Sequence, residues 1–251
     1  MYTVTHIYKP GYNTVRQPPG FADFLKGTMT LYYNSNNYNL KVDYSLHPII
    51  NFLQNKHSNI SESECNELFN VCSKDLLSVV TQLTINITIA TNNHCYTIND
   101  DIRNFIRQAF EPTVDFSNFI SDVKKQNNLT DYNVLHIRAG DYNINRTLNS
   151  INFINSRIDS INTDLDLFVI SDNISVKHLI KKQYPHIKYI DTIPVHLGES
   201  KASKIEDVRD TLADFFIMSQ ARNIFAYSVY GGSGFSSLAA EIFDIPYLNI
   251  S

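Results

Sequence analysis

The chain of 251 residues carries a formal net charge of −4, and 43% of its residues are hydrophobic. This length allows one large domain or two modest ones, and the hydrophobic fraction is ordinary for a protein with a buried core. A slightly acidic chain without a run of lysine and arginine gives no electrostatic reason to expect nucleic acid as a partner.

The first half of the chain shows less regular patterns than the second. Hydrophobic spacing predicts helices at 21–33, 101–110 and 116–125, a further helix beginning at 48, and strands at 40–44 and 84–90. The pair Asn127 and Asn128 is the best candidate for a linker. We therefore predict a boundary near residue 128, with one α/β domain at 1–128 and a second at 129–251.

The second half alternates strands with helices. Strands are predicted at 133–137, 165–171, 187–190, 223–228 and 246–250, and helices at 147–160, from 171 or 172 to 183, at 206–221 and at 235–243. Strands separated by helices are typical of a parallel sheet with helices on both faces. The sequence thus predicts an α/β fold whose C-terminal domain is a doubly wound parallel sheet.

Two unusual stretches are expected to meet in this domain. The strand at 133–137 runs into the hexapeptide His136–Asp141 (HIRAGD), and the strand at 223–228 runs into a Gly/Ser turn at 231–237 (GGSGFSS). With the usual winding these strands are neighbours at the switch point, where ligands bind. Arg138 offers a fork of donors, and the turn offers backbone N–H groups and a helix N-terminus. Together they predict a clamp for a diphosphate that needs no metal.

Each half of this clamp also has a plainer interpretation. The alternative for Arg138 is a structural ion pair with Asp141, that for the Gly/Ser turn is an ordinary tight turn, and that for His136 is a buried core position, but the ligand-binding interpretation is favoured in each case. Other glycine motifs are absent: the sequence lacks a P-loop, a G-x-S-x-G elbow and a three-glycine dinucleotide fingerprint.

Targeting and metal signals are weak throughout the chain. No stretch approaches the roughly 20 apolar residues of a membrane helix, and residues 1–12 lack the apolar core of a signal peptide, so a cytoplasmic protein is expected. Of the three cysteines, Cys65 and Cys72 would share one face of a helix. Because no second Cys/His pair has zinc-ligand spacing, packing is favoured over metal binding.

At these residues the sequence resembles the fucosyltransferase superfamily with the GT-B fold, which includes α-1,2-, core α-1,6- and protein O-fucosyltransferases. The family motif His-x-Arg-Arg-x-Asp appears here as HIRAGD. Similar segments follow in the same order, at 167–173 (LFVISDN), 184–185 (YP), 214–221 (DFFIMSQA) and 235–237 (FSS). In the first half, 20–25 (GFADFL) resembles the Gly-x-Gly-Asn/Asp loop that opens the acceptor-side domain.

The resemblance implies two Rossmann-type domains, a GDP-sugar donor (usually GDP-fucose) and inverting transfer to an oligosaccharide or glycan acceptor, with no cofactor or obligate metal. By position, Arg138 would hold the β-phosphate and stabilise the leaving GDP, while His136 and Asp214 would help to bind guanosine. The remaining donor-binding residues would contact the pyrophosphate or ribose, and they are Ser233, Gly234, Phe235, Ser236 and Ser237.

Two departures from the family pattern concern the donor and the catalytic base. Ala139 stands where most relatives have a second arginine, which leaves the donor sugar open. The position that core α-1,6 enzymes use for the base falls near Arg146, which is not a carboxylate. Asp23 is the candidate base, although a helix cap suits it as well, and Asp141 is a second candidate.

Three functions therefore remain open from the sequence. The first is a fucosyltransferase-like enzyme that uses GDP-fucose. The second keeps the fold but uses another nucleotide sugar. The third is a carbohydrate- or nucleotide-binding module without catalysis, which the missing arginine and the unassigned base both favour.

Overall fold

The computed structural model describes residues 2–9, 19–54, 65–68, 73–82, 86–140, 151–161, 164–192, 195–198 and 203–251. The chain forms two compact units, each built on its own parallel sheet. The first unit comprises Met1–Phe116 and His196–Val208, and the second comprises Ser117–Val195 and Arg209–Ser251. The domain boundary that the sequence places near residue 128 stays a prediction.

The first unit contains a four-stranded parallel sheet with the order β2-β1-β4-β3. Its strands are β1 (Tyr2–Ile7), β2 (Tyr38–Asp43), β3 (Asn66–Leu68) and β4 (Ile87–Thr91), and its helices are α1 (Phe21–Tyr33), α2 (Ser73–Gln82) and α3 (Asp100–Ala109). The next helix, α4 (Val114–Gln126), begins in this unit and continues into the second.

Helix α1 packs closely against β4 through Gly27. A Cβ atom at Gly27 would lie 2.2 Å from the carbonyl oxygen of Thr91, so no larger residue fits without a movement of the backbone. Beside it, His6 is buried in β1, and its ring nitrogens lie 2.8 Å from Thr28 Oγ1 and 3.1 Å from Thr91 O. The imidazole thus links β1, α1 and β4 through satisfied polar contacts.

Two buried histidines make the stability of the first unit depend on pH. Burial lowers the pKa of His6 and of His47 from 6.5 to about 3, and hydrogen bonds to the backbone of Thr91 and Leu197 offset it in part. Because each pKa is lower in the folded chain, the stabilisation is complete above pH 6.5 and is lost as the pH falls from 6.5 towards 3. The loss is about 1.4 kcal/mol per pH unit for each histidine.

We therefore expect the Tm of the protein to fall steadily between pH 6.5 and pH 4.5, as measured by thermal unfolding followed with circular dichroism. His178 provides a control, because it is exposed and its only ion-pair partner among the described residues is Asp191, at 3.2 Å. A His178→Asn variant should show the same dependence on pH as the wild type. A Tm that is constant from pH 6.5 to pH 5 would contradict the prediction.

The second unit contains a five-stranded parallel sheet with the order β7-β6-β5-β8-β9. Its strands are β5 (Tyr132–Arg138), β6 (Asp166–Ser171), β7 (Lys188–Tyr189), β8 (Ile224–Ser228) and β9 (Tyr247–Asn249). The helices that follow these strands are α5 (Ile151–Ser160), α6 (Ile174–Gln183), α7 (Ile205–Met218) and α8 (Gly234–Phe243). The first residues of α7, up to Val208, belong to the first unit. The strand order reverses between β5 and β8, which makes this sheet doubly wound. The predicted fold of the second half is thus confirmed.

The central strand β5 is buried along most of its length. On one face, Leu135 and Ile137 pack in a core cluster that also contains Ile154 and Val169. The following Ala139 continues this apolar row and is fully buried in the same cluster. His136 lies on the opposite face, since side chains alternate along a strand. The core therefore holds β5 in place. Its polar residues are Asn133 near its start and His136 and Arg138 towards its carboxyl end.

Several elements of the first unit differ from the sequence predictions. The sequence patterns do not predict β1, β3 and α2, and the helix predicted from residue 48 is a 3₁₀ turn at Pro48–Asn51. The residues that follow Cys65 form β3, so a helix that carries Cys65 and Cys72 on one face is wrong, and Cys72 lies outside the described residues. Among the helices that the structure describes, none has the length and apolar character needed to cross a membrane.

Candidate active site

The polar residues of the second unit gather at the carboxyl edge of its sheet. β5 lies between β6 and β8, and the register pairs Arg138 with Ser228 and Ile137 with Ser171. The residue after Ser171 is Asp172, so that Arg138, Asp172 and Ser228 end three neighbouring strands at the same edge. This is the position at which doubly wound sheets bind ligands.

Asp172 organises the chain where β5 ends. Its carboxylate accepts hydrogen bonds from the backbone N–H of Ala139 at 2.7 Å and of Gly140 at 3.0 Å, and it forms an ion pair with the guanidinium of Arg138. The sequence suggests Asp141 as a structural partner of Arg138, but Asp141 and Arg146 lie outside the described residues. Asp172 stands out in the sequence only as part of a family-like turn, and nothing in that turn predicts its contact with Arg138.

The hexapeptide contacts Tyr230, the residue directly before the Gly/Ser turn, through Gly140. Gly140 has a φ of +75°, a left-handed conformation that favours glycine. A Cβ atom there would lie 2.3 Å from Tyr230 Oη. The two stretches that the sequence singles out therefore lie side by side, as the predicted pairing of their strands requires.

His136 lies on β5, two residues before Arg138, and its side chain is buried and neutral at pH 7. Its Nδ1 lies 2.9 Å from Ser236 Oγ, and the rings of His136 and Phe235 have centroids 6.1 Å apart. Burial and, to a smaller extent, the positive charges of Arg138 and Lys177 lower the pKa of His136 to about 3. Ser236 is itself fully buried, so its described contacts support His136 and the start of α8, while its predicted contact with the donor stays a prediction.

Asp214 places a carboxylate in the interior of the same unit. The residue lies on α7 and is only 4% exposed. Burial raises its pKa to about 6, Lys177 acts in the opposite direction, and Asp210 raises it. Asp214 forms no hydrogen bond to any described residue, although carboxylates in protein interiors are normally paired or hydrogen-bonded. Its oxygens are thus available to accept hydrogen bonds from a ligand.

The start of α8 supplies the second half of the predicted clamp. Ser233 is the N-cap residue, but its side chain makes no capping hydrogen bond. The first N–H groups of a helix lack intrahelical partners and favour an anion. Before the helix, a Cβ atom added to Gly231 or to Gly232 would meet nothing within 4 Å apart from the adjacent residues of the chain, so the turn is open on this side. Ser237 follows within the first turn of α8.

Asp23, the predicted base, belongs to the first unit. It lies in the first turn of α1, where Gly20 and not Asp23 is the N-cap residue. Its carboxylate is 43% exposed and lies 3.2 Å from Lys26 Nζ. The alternative prediction that Asp23 caps the helix is therefore wrong. Its negative charge in the first turn still stabilises the helix. Its role as a base stays a prediction.

A group of buried polar atoms, which the sequence does not reveal, lies in the same unit. Its buried side-chain atoms without a hydrogen-bond partner in the described residues include Tyr8 Oη, Asp43 Oδ2, Ser45 Oγ and His196 Nδ1. Asp43 ends β2, Ser45 N–H donates to its other oxygen at 2.7 Å, and Tyr8 N–H donates to its backbone carbonyl at 2.7 Å. No local sequence pattern marks such atoms. The parallel pairing of β1 with β2 places Tyr8, which follows β1, near Asp43 and Ser45, while His196 comes from a distant part of the chain.

Metal-ligating side chains are not grouped in the described parts of either unit. No set of three or more His, Cys, Asp or Glu residues there has the arrangement of a metal site. The sequence-based expectation that transfer needs no metal stays a prediction.

Comparison with known proteins identifies the fold. No protein-family model matches the sequence, and no curated protein matches it. Among solved structures, the fucosyltransferase NodZ from Bradyrhizobium has a TM-score of 0.60 at 12% identity, over 95% of this chain and 91% of that chain. NodZ α-1,6-fucosyltransferase soaked with GDP-fucose gives 0.61 at 12% identity, over 96% and 92%. POFUT1 in complex with GDP gives 0.53 at 11% identity, over 100% and 98%.

These matches extend over nearly the whole of each chain, so both units have counterparts in the solved structures. At 11–12% identity the likeness concerns the fold. The resemblance that the sequence motifs predicted is confirmed at this level. The chain has the α/β, GT-B-like fold of these fucosyltransferases, with two Rossmann-type units.

Proposed function

We propose that the protein is an inverting glycosyltransferase that transfers fucose from GDP-fucose to a hydroxyl of an oligosaccharide or glycan, without a metal ion. The observation that carries this proposal is the position of Arg138. It ends the central strand β5 beside Asp172, at the edge of the sheet where the open Gly/Ser turn leads into α8. NodZ and POFUT1, which share the fold, have been solved with GDP-fucose and GDP respectively.

The chemistry of this edge suits a departing diphosphate. Negative charge builds up on the diphosphate as the bond to the sugar breaks, and fixed donors at that position lower the barrier. Arg138 offers several N–H donors, so that it can keep its contact with Asp172 and still bind a phosphate oxygen. The uncapped N-terminus of α8 adds N–H groups, which carry partial positive charge and also favour an anion.

The buried carboxylate of Asp214 suits the base of the donor. Guanine presents two adjacent N–H donors on one edge, and a carboxylate accepts both. Asp214 is buried and forms no hydrogen bond to any described residue, which leaves both oxygens open to such a ligand. His136 is neutral at pH 7 and carries a second polar ring edge in the same unit. We assign guanosine binding to these two residues.

The acceptor is assigned to the first unit. Asp23 is exposed enough to take a proton from an acceptor hydroxyl and is the proposed base. A cytoplasmic location stays a prediction of the sequence.

Nucleotide binding tests the donor assignment. We expect GDP, at about 100 times its Kd, to raise the Tm by roughly 5–11 °C in a thermal-shift assay, because a ligand that binds only the folded chain stabilises it by about 2.7 kcal/mol at that concentration. UDP, dTDP and CMP at the same concentration serve as controls and should have smaller effects. A shift with UDP alone would exclude GDP as the donor nucleotide, and no shift with any nucleotide would contradict donor binding.

A donor other than GDP-fucose is the second candidate, and Ala139 favours it. Its side chain is fully buried in the core cluster of the second unit, so this position brings no positive charge to the diphosphate. Turnover measured with a panel of GDP-sugars separates the two candidates. Transfer from GDP-fucose alone supports the first, and transfer from a different sugar supports the second.

A further inference from the structure

Tyr230 is an exposed aromatic residue that the proposed reaction leaves without a role. It follows the end of β8 by two residues, lies directly before the Gly/Ser turn, and is 54% exposed. A single exposed tyrosine needs no explanation by itself. This one lies at the carboxyl edge of the sheet, where doubly wound sheets bind ligands, and its contacts there join the two halves of the proposed diphosphate clamp.

The far end of the Tyr230 ring packs against the backbone of Gly140. A Cβ atom added to Gly140 would lie 2.3 Å from Tyr230 Oη, 2.6 Å from its Cε2 and 2.8 Å from its Cζ. The ring therefore occupies the space that any side chain at position 140 would need. Since Gly140 also has a φ of +75°, both the close approach and the backbone conformation require glycine here.

On one side, this contact leads directly to Arg138. The backbone N–H of Gly140 donates to the Asp172 carboxylate at 3.0 Å, and the same carboxylate holds the N–H of Ala139 and the guanidinium of Arg138. Asp172 follows β6 and Tyr230 follows β8, and these strands flank β5. The segment that carries Arg138 is thus held by a residue from each neighbouring strand.

On the other side, the backbone of Tyr230 belongs to a turn that is fixed by hydrogen bonds. The N–H of Tyr230 donates to Ser228 Oγ at 3.2 Å, and the N–H of Gly231 donates to the Ser228 carbonyl at 3.0 Å. Asn249 Nδ2, on β9, donates to the Gly231 carbonyl at 2.7 Å. This turn leads into α8, which begins at Gly234. Tyr230 therefore connects the approach to the helix N-terminus with the segment that carries Arg138.

We infer that Tyr230 is a positioning residue that sets the separation between Arg138 and the N-terminus of α8, and that this separation makes the site select a nucleoside diphosphate over a monophosphate. The inference rests on the proposed function, since it takes these two groups as the ligands of the diphosphate. A diphosphate carries two charged groups at a fixed spacing and needs both halves of the clamp at once, whereas a monophosphate needs only one. Donors that are already held at the right spacing bind it without a cost of reordering.

Three variants test this inference through the affinities for GDP and GMP, measured by isothermal titration calorimetry. Tyr230→Ala removes the ring from Gly140. Tyr230→Phe removes only Oη and keeps the ring atoms that also meet Gly140. Tyr247→Ala is the matched control, because Tyr247 is a partly exposed tyrosine of the same unit at the opposite edge of the sheet, where β9 begins and pairs with Ile224.

The wild type should bind GDP at least about tenfold more tightly than GMP, the effect of one further hydrogen bond between charged groups. In Tyr230→Ala the affinity for GDP should fall by about tenfold, for the same reason, while that for GMP stays within about twofold. Tyr230→Phe and Tyr247→Ala should keep the wild-type ratio of the two affinities. A merely structural role of Tyr230 would lower both affinities equally, because it would act through the fraction of folded protein.

An unchanged ratio of GDP to GMP affinity in folded Tyr230→Ala would overturn the inference, and so would an equal loss for both nucleotides or a wild type without a preference for GDP. A Tyr230→Phe variant that behaves like Tyr230→Ala would also contradict it, because the ring would then have no part. If Tyr230→Ala does not fold, Tyr230→Leu decides in the same way, since leucine is too short to reach Gly140. Absence of binding of both nucleotides to the wild type would instead overturn the proposed function, and this inference with it.

Discussion

An Arg138→Ala variant is expected to lose sugar transfer from GDP-fucose while it keeps its fold. Arg138 ends β5 and is partly exposed, so its removal leaves the buried core of the strand intact. Removal of one fixed donor to a developing negative charge typically lowers turnover by about 10²–10³-fold. The loss should appear in kcat more than in KM, because the contact strengthens as the diphosphate departs. Steady-state kinetics with GDP-fucose measure both.

Arg157 supplies a matched control for this variant. It belongs to the same unit, lies on α5, and its guanidinium stacks over the Phe153 ring at 4.7 Å. Arg157→Ala removes an arginine of the same kind from a helix that does not end at the carboxyl edge, and turnover should stay within about twofold of the wild type. Unchanged turnover in Arg138→Ala would refute the proposed role of Arg138.

The second large effect is expected from Asp172→Ala. This change removes the acceptor of three hydrogen bonds at once, from the guanidinium of Arg138 and from the backbone N–H groups of Ala139 and Gly140. Donors that lose a buried charged acceptor are left unsatisfied, and the free energy of unfolding should fall by about 2–4 kcal/mol. Turnover should also fall, by about 10²-fold, because a donor displaced by about 1 Å stabilises the transition state poorly. Chemical denaturation and kinetics measure the two effects.

The control for Asp172→Ala lies at the other end of the same strand. Asp166 begins β6, is largely exposed, and pairs with Lys188 at 2.5 Å. An exposed ion pair of this kind contributes about 0–1 kcal/mol, so Asp166→Ala should leave both stability and turnover nearly unchanged. Equal losses in the two variants would mean that Asp172 has no special role at the site.

The fold of the second unit was predictable because its signals are local. A buried strand, a helix and a turn each have their own pattern within about ten residues, and their alternation indicates the sheet. The ion pair between Arg138 and Asp172 was not predictable in the same way, because 34 residues separate the partners and only the pairing of β5 with β6 joins them. The burial of Lys177 was not predictable either, because a single lysine in a polar helix usually faces solvent.

The first unit was harder to predict, because its strands depend on distant partners. β1 has the sequence YTVTHI, in which His6 is buried and would be costly without Thr28 and Thr91 beside it. Those partners lie 22 and 85 residues away and leave no mark next to His6. The three residues of β3 are too few for any periodic signal. A strand is thus hard to predict when the hydrogen-bond partners of its buried polar residue come only from the tertiary structure.

The contact between Gly140 and Tyr230 also has a spectroscopic consequence. The chain contains 15 tyrosines and no tryptophan, so its intrinsic fluorescence has no indole component. Tyr230 is 54% exposed and lies against Gly140, two residues after Arg138. A tryptophan introduced there would be the sole indole emitter of the protein, placed beside the proposed diphosphate position. Its emission would follow the arrival and departure of a nucleotide in real time, without any label on the ligand.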